Sequence, residues 1–522
     1  MKKHNIFKVL GLMLILTMIL SYFVPSTTIG YGSVTKGTAV PFGFADTFMN
    51  ILTSISAFAG TFVYLIVIGI FYKILIKTGK LDTLVTNTAF KFQKNKSLFI
   101  ALTVLVLGLI TAITGELFSM LVFVPFIIFV MNKLGYNKLT QVATTFGSII
   151  LGFSGSMYTF YANQMLGTTV QDNLMYKILI AVVSLISLLV FILVFNKSEQ
   201  VKIEKVEEKK ALPIKIIMIL ILLFVILGFT SWNTYFKFDG FDKFLETLKS
   251  GKLFKVSVFD ALIGQMAQPF GSFQLYNIAA LILFFGLLVS AIYKVKIDDL
   301  LDSIKEGIYK TLPYAIIAMI SYLILVDSYQ MFYTIATSIL KKVNLSNMAF
   351  TSLVSSIMLP DASYATQFTL TILSSSVNAG NNVLLVQIVF QAIYSVCLLL
   401  SPTSILILMG LKFNDVTYKS WVKYIYKFFV IVFIIDLIIL SIATKAKSLG
   451  IIILSILLVI LLGTIFYKKS KEKETVKEIK TSKKEEVKKE VKEVKKEETK
   501  KTTTKTKNTK TKSNSSKSKG KK

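Results

Sequence analysis

The stretch Ser97–Met131, SLFIALTVLVLGLITAITGELFSMLVFVPFIIFVM, decides the fold of this chain, because it is apolar along its length except at its middle. The interruption is Thr114-Gly115-Glu116, which places a glycine and a charged side chain at the depth of a membrane. Irregular backbone is tolerated at that depth only where it is buried in protein or lines a wet cavity. The stretch therefore predicts a helix–break–helix segment beside a solute pathway.

A matching interruption occurs in the second half of the chain. Asn347–Ala379 is apolar and is broken at Pro360-Asp361-Ala362-Ser363. Each broken segment is followed by a second interrupted apolar run, Gly147–Gly167 in the first half and Val383–Gly410 in the second. Interrupted hydrophobic segments at corresponding places in two halves are typical of the binding site of a secondary transporter. We therefore expect two repeats whose breaks meet near the middle of the membrane.

Composition places the chain among membrane proteins. It has 522 residues, 54% of them hydrophobic, and several apolar runs reach the length that spans a bilayer. Cys397 is the single cysteine and His4 the single histidine, so we expect no disulfide framework, thiolate metal cluster or histidine catalysis. No nucleophile–base pair or phosphate loop is apparent. We expect a protein that is not an enzyme and that uses no cofactor, apart from Na⁺ or H⁺ as a coupling ion.

Lysines that flank the apolar runs predict the topology. The predicted fold is an all-α polytopic membrane protein of the cell membrane, with about ten transmembrane helices, two re-entrant hairpins in an inverted repeat, and both termini cytoplasmic. Two short spans are the alternative for the first hairpin. The predicted spans are Ile6–Val24, Ile51–Ile70, Thr140–Asn163, Tyr176–Phe195, Ile214–Thr230, Tyr276–Tyr293, Leu312–Leu325, Val383–Gly410, Tyr424–Ile442 and Ile451–Phe466.

The same reasoning divides the chain into units. Five spans separate the start of one repeat from the start of the other, so the second repeat is inverted; coincidental hydropathy is the alternative. The predicted units are a first transmembrane helix (1–24), a first repeat (46–195), a connecting helix with loops (196–273), a second repeat (274–443), a last transmembrane helix (449–467) and a disordered, Lys-rich cytoplasmic tail (468–522).

The tail holds roughly half of the net charge of +30. Its Lys, Glu, Thr and Ser residues have almost nothing to bury, which predicts disorder. Its lysines would attract anionic lipid of the bilayer, although a solvated tail without a specific partner is the simpler interpretation. Nucleic-acid binding is not expected, because no aromatic residues for base stacking lie between the lysines.

Short motifs, taken in order, resemble those of one carrier family. They are Ser21-Tyr22-Phe23-Val24-Pro25-Ser26, Lys77-Thr78-Gly79-Lys80-Leu81-Asp82, Gly152-Phe153-Ser154-Gly155-Ser156, Phe390-Gln391 through Ser401-Pro402-Thr403-Ser404, and Trp421-Val422-Lys423. From Leu20 to Leu440 the chain resembles the YfcC-like branch of the four-carbon dicarboxylate anaerobic carrier family, within the ion-transporter superfamily. The resemblance implies a secondary active carrier with a small-molecule substrate; a homodimeric assembly stays open.

The chain departs from that family's pattern at the breaks. Thr159-Phe160 stands where the family usually has Asn-Pro, and Ile393-Tyr394-Ser395 stands where it usually has Gly-Asp-Gly. The tip of the second hairpin reads Pro360-Asp361-Ala362-Ser363-Tyr364. These positions are where substrate and coupling ion should bind. The resemblance therefore predicts the fold better than it predicts the substrate.

The candidate site is built from residues at or near the breaks. Glu116 leads, because an ionisable group within an apolar segment is costly and therefore a functional hypothesis by default; a tip that simply reaches water is the alternative. Asp361 is its counterpart. Asp327 is interpreted as a surface residue, and Asp436 as either functional or facing a wet cleft. Small residues permit close backbone approach, and neutral oxygens suit a monovalent cation. The candidate residues are Gly115, Glu116, Gly155, Ser156, Thr159, Asn163, Asp361, Ser363, Gln391, Ser401, Thr403 and Ser404.

The sign of the site bears on the substrate. The membrane-depth segments contain acids but no lysine outside their flanks. That pattern favours a cationic ligand, namely a basic amino acid in arginine/ornithine exchange, coupled to a cation gradient or a counter-substrate. A carrier of dicarboxylates or short-chain carboxylates is the alternative, and a non-transporting membrane anchor or receptor is a second one.

Overall fold

The computed structural model describes residues 5–30, 33–157, 173–195, 201–206, 212–253, 256–376 and 385–444. The predicted last transmembrane helix and the Lys-rich tail lie outside these residues, as do Thr159 and Asn163 of the candidate site.

Among the described residues of the first half, helices predominate and one short antiparallel ladder is present, in which Thr27 pairs with Lys36 and Gly30 with Ser33. Its elements are α1 (Asn5–Ser21), β1 (Thr27–Gly30), β2 (Ser33–Lys36), α2 (Phe44–Ala57), α3 (Ala59–Lys77), α4 (Lys80–Phe92), α5 (Lys96–Thr114), a 3₁₀ turn (Ser119–Phe123), α6 (Val124–Lys133), α7 (Lys138–Val142), a π turn (Ala143–Gly147), α8 (Ser148–Ser154) and α9 (Leu174–Phe195).

The second half repeats this helical character. Its elements are α10 (Leu212–Phe229), α11 (Trp232–Phe236), α12 (Gly240–Ser250), β3 (Lys252–Leu253), β4 (Val256–Ser257), α13 (Val258–Leu262), α14 (Leu275–Ile292), α15 (Ile297–Ile339), α16 (Leu345–Met358), α17 (Ala362–Ser376), a π turn (Leu385–Phe390), α18 (Gln391–Leu398), α19 (Ile405–Phe413) and α20 (Tyr418–Ala443).

Seven helices among the described residues are long and apolar enough to cross a membrane: α3, α5, α9, α10, α14, α15 and α20. Shorter apolar helices accompany them, among them Ser119–Lys133 and Leu345–Met358. The all-α polytopic fold predicted from the sequence is therefore confirmed. The number of spans and the re-entrant course of the two broken segments stay predictions.

Several predicted boundaries are wrong. The predicted span Ile51–Ile70 is two helices, α2 and α3, which meet at Phe58. The predicted span Leu312–Leu325 is the middle of α15, a continuous helix of 43 residues that contains Pro313. The connecting unit 196–273, predicted as one helix with loops, contains α10, three shorter helices and a short ladder among its described residues. Hydropathy marks where a helix is apolar, and it does not mark where the helix starts or ends.

The two helices α3 and α15, which correspond in the predicted repeats, pack directly on each other through glycines. A Cβ added at Gly307 of α15 would lie 2.5 Å from Ile70 Cα, and one added at Gly69 of α3 would lie 2.6 Å from Gly307 O. Small residues let membrane helices approach closely. This contact fixes the two halves to each other.

Candidate functional site

The first break is a short irregular stretch, residues 115–118, which we call tip 1. Gly115 adopts φ +68° and ends α5, and its N–H donates to Thr111 O at 2.8 Å. Glycine is favoured there because a left-handed residue commonly terminates a helix. Glu116 Oε1 then accepts the Phe118 N–H at 3.0 Å, and Ser119 Oγ donates to Glu116 O at 2.9 Å. Glu116 is half-buried, and one oxygen of its carboxylate holds its own turn.

The second break, residues 359–361, is tip 2, and it uses a carboxylate in the same way. Asp361 Oδ1 accepts the N–H groups of Ser363 and Tyr364 at 3.0 and 3.1 Å. Both N–H groups lie in the first turn of α17, where the helix itself supplies no acceptor, and an aspartate is among the residues preferred just before that turn. The other carboxylate oxygen, Oδ2, accepts the Tyr322 hydroxyl at 3.4 Å.

Backbone carbonyls next to each tip accept hydrogen bonds from hydroxyl groups of a long helix, α3 in the first half and α15 in the second. Tyr64 and Tyr72 of α3 donate to Ser119 O and Val122 O, at 2.8 and 2.7 Å, just after tip 1. In the second half, Ser328 of α15 donates to Met358 O at 2.8 Å. Carbonyl groups that lose their helical partner at a break in an apolar setting must find another hydrogen-bond donor. The donors are hydroxyl groups of α3 in the first half and of α15 in the second.

The two tips line one cavity of about 360 Å³, the central cavity. Gly115 and Glu116 of tip 1 line it, as do Asp361 of tip 2 and Ser363 at the start of α17. Other described lining residues are Ala57, Phe58, Gly60, Thr61, Leu117, Phe118, Phe153, Phe273, Gln274, Leu275, Tyr276, Ala362 and Tyr364. The cavity therefore combines two carboxylates with residues of both helix breaks.

Tyr322 joins the two halves beside this cavity. Its hydroxyl lies 3.2 Å from Thr61 Oγ1 of α3 as well as 3.4 Å from Asp361 Oδ2. Its ring stacks on Phe58, with centroids 3.6 Å apart and planes at 11°. Phe58 lies where α2 meets α3, so the unpredicted break between these helices places an aromatic ring in the cavity wall.

The two further broken runs meet each other through Gln391. Its Nε2 lies 2.7 Å from Phe153 O, 3.1 Å from Ser156 O and 2.6 Å from Ser156 Oγ. Gly155 is closely covered, since an added Cβ would lie 2.7 Å from Ala181 N and still closer to Lys177 O. Side chains and backbone of other elements therefore cover the C-terminal end of α8.

The hydroxyls after α18 serve the second break. Ser401 Oγ donates to Ser356 O at 2.6 Å, and Thr403 Oγ1 donates to Ile357 O at 2.7 Å. Ser404 is buried at the start of α19. These side chains brace the end of α16.

The structure thus divides the candidate residues into three groups. Lining the central cavity are Gly115, Glu116, Asp361 and Ser363. Buried away from its described lining are Gly155, Ser156, Gln391, Ser401, Thr403 and Ser404. Outside the described residues are Thr159 and Asn163. Sequence reasoning missed Phe58, Thr61 and Tyr322; the hydroxyls of Thr61 and Tyr322, set in apolar helices, were a signal that could have pointed to them.

Three ionisable residues outside the two tips are buried. Asp327 was expected at the surface but is only 8% exposed, and its Oδ1 accepts the Asn50 side-chain N–H at 2.7 Å. Asp436 is fully buried, with the Ser184 hydroxyl 3.4 Å from its Oδ1. Lys177, near the start of α9, is only 2% exposed, and its backbone carbonyl lies against Gly155.

Apolar spanning helices, paired breaks and a shared polar cavity define a polytopic membrane protein of the secondary carrier class, which moves a small solute. The model of the C4-dicarboxylate anaerobic carrier family, DcuC, matches residues 4–445. The chain belongs to this family. The resemblance drawn from the motifs is confirmed at the family level, and the YfcC-like branch stays a prediction. Family membership points to a carrier and not to an enzyme.

The solved structure of the Alcanivorax borkumensis YdaH transporter, reported with an unusual topology, is similar to this chain at 11% identity and a TM-score of 0.37. The similarity covers 85% of this chain and 98% of that one. No curated protein matches the chain.

Proposed function

We propose that this protein is a cation-coupled carrier of a small carboxylate, of which a four-carbon dicarboxylate is the leading candidate. The observation that carries the proposal is the central cavity, where the two tips present Glu116 and Asp361 to a common space. The family to which the chain belongs is described by C4-dicarboxylate transport.

The two carboxylates make the proposed coupling necessary. A dianion about 5 Å from a fixed negative charge would be repelled by about 3 kcal/mol per charge pair at an effective dielectric constant of about 20. Na⁺ or H⁺ bound at Glu116 and Asp361 removes that repulsion. The substrate carboxylates then bind polar groups of the cavity lining near the breaks. Uptake should therefore require a coupling cation.

A second candidate, a basic amino acid, is favoured by the same pair of acids. An ammonium or guanidinium group placed between Glu116 and Asp361 would neutralise them directly. In that case the amino acid itself takes the place of the coupling ion, and exchange of one amino acid for another becomes the natural mode of transport.

Uptake into proteoliposomes separates the candidates. Purified protein is tested with radiolabelled succinate, arginine, ornithine and acetate under Na⁺ and proton gradients, with protein-free liposomes as the control. We expect succinate uptake that depends on one of the gradients. Arginine or ornithine exchange without succinate uptake would establish the second candidate, and absence of flux for every solute would contradict both.

The remaining sequence predictions extend this proposal. The proposal includes the repeat units 46–195 and 274–443, cytoplasmic termini and attraction of the tail to anionic lipid. The geometry of the central cavity does not test these parts. A homodimeric assembly stays open.

A further inference from the structure

A second cavity of about 620 Å³ adjoins the central one. Ala57, Phe58 and Tyr364 line both, so their side chains form the wall between them. Phe58 and Tyr364 have ring centroids 5.1 Å apart. A solute or ion that leaves the second cavity through this wall arrives at Asp361.

Asp327 is the unusual residue of the second cavity. It lines the cavity and is only 8% exposed, and its Oδ1 accepts the Asn50 side-chain N–H at 2.7 Å. Its Oδ2 is buried and has no hydrogen-bond partner among the described residues. An unsatisfied carboxylate oxygen is costly in such a place, which calls for a ligand.

The charge of the cavity is one-sided. Of the described residues that line it, two are acidic, Asp46 and Asp327, and none is basic. Asp46 is exposed, and its Oδ2 accepts the Gly43 N–H at 2.8 Å at the start of α2. Clefts lined by one sign of charge concentrate ions of the opposite sign.

We propose that Asp327, together with Asn50 and Asp46, forms an entry site for a monovalent cation in the second cavity. The cation is held there before it passes the Phe58–Tyr364 wall. Aromatic faces assist that passage, because they attract cations. The cation is either the coupling ion or the ammonium group of a solute. The inference rests on the proposed function only in placing this site on the route to the central cavity.

A thiol probe tests the site without requiring transport. Thr53 lines the same cavity and is exposed, so Thr53→Cys is made in a Cys397→Ser background. We expect a cationic methanethiosulfonate reagent to label this position faster than an anionic one. Adding Asp327→Asn, which keeps an acceptor for Asn50, should reduce the preference by about tenfold, equivalent to about 1.4 kcal/mol.

The matched control is Asp298→Asn, an exposed carboxylate on the same helix, which should leave the preference unchanged. Protection of Thr53→Cys by NaCl but not by choline chloride assigns the site to the coupling ion. Protection by arginine at constant salt assigns it to a solute ammonium group.

A preference that is unaltered by Asp327→Asn would overturn the proposal. If that variant fails to insert, the protection assay on Thr53→Cys alone decides, and labelling that no cation slows would overturn it. Failure of the proposed function would appear separately, as absent flux in proteoliposomes that still show charge-selective labelling.

Discussion

At the scale of single residues, each tip uses an acidic side chain to hold its own turn. In both Glu116 and Asp361, one carboxylate oxygen accepts hydrogen bonds from backbone N–H groups next to a break. The sequence pointed to both positions, because charge and helix-breaking residues interrupt apolar runs there. It did not reveal the contact between Asp361 and Tyr322, because those residues lie 39 positions apart and only the packing of α15 brings them together.

We predict that Glu116→Gln inserts and folds normally but loses most solute flux or its cation dependence. The glutamine side-chain oxygen can still accept the Phe118 N–H, so the turn is preserved while the charge is removed. Initial uptake rates in proteoliposomes at several Na⁺ concentrations and pH values provide the measurement.

Glu246→Gln on α12 is the matched control, because Glu246 is an exposed glutamate outside the described lining of the central cavity. Its transport should equal that of the parent. Parental kinetics and ion dependence in Glu116→Gln would show that Glu116 is only a turn residue that reaches water.

At the scale of elements, the packing of α3 on α15 carries the architecture. Hydropathy found the apolar parts of both helices, but it missed the break at Phe58 and the full length of α15. The two errors have different causes: the break at Phe58 lies among small and apolar residues and leaves no mark in hydropathy, whereas polar residues such as Asp327 lie within the continuous helix α15. A polar residue inside a helix looks, in sequence, like the end of that helix.

We predict that Gly307→Ala destabilises the protein by about 1–3 kcal/mol, the usual cost of overpacking. The added methyl group would press against the backbone of Ile70, which cannot move aside as a flexible side chain would. A lower thermal unfolding midpoint in detergent is the expected readout. Gly11→Ala on α1 serves as the control, since no atom lies within 4 Å of its added Cβ. Equal midpoints for both variants would show that the α3–α15 contact is not tightly packed.

At the scale of the whole molecule, the inverted course of the two broken segments stays to be tested. Both tips line one cavity, so a probe placed at a tip can be reached from whichever side that cavity opens. The bases of the segments are better positions. Ser97 lies one residue past the start of α5, and Ser346 lies one residue past the start of α16; both are exposed.

We predict that Ser97→Cys, in a Cys397→Ser background, is labelled by an impermeant reagent only from the cytoplasm, and Ser346→Cys only from outside. The lysines around the first segment and the number of intervening spans require this orientation. Labelling in intact cells and in inverted vesicles provides the measurement, with the Cys397→Ser parent as the blank. Exclusive labelling of both positions from one side would rule out the inverted repeat.

The unbroken length of α15 also sets a fixed distance in the molecule. Tyr322, which contacts Asp361, and Asp327, in the second cavity, are five residues apart on this one helix, or about 7.5 Å along its axis at about 1.5 Å per residue. Pro313, the one point where the helix would bend, lies outside this interval. The helix therefore fixes the spacing between the residue that contacts Asp361 and the carboxylate of the second cavity. The tips and the aromatic wall belong to other elements, so a change in their position would leave this spacing unaltered.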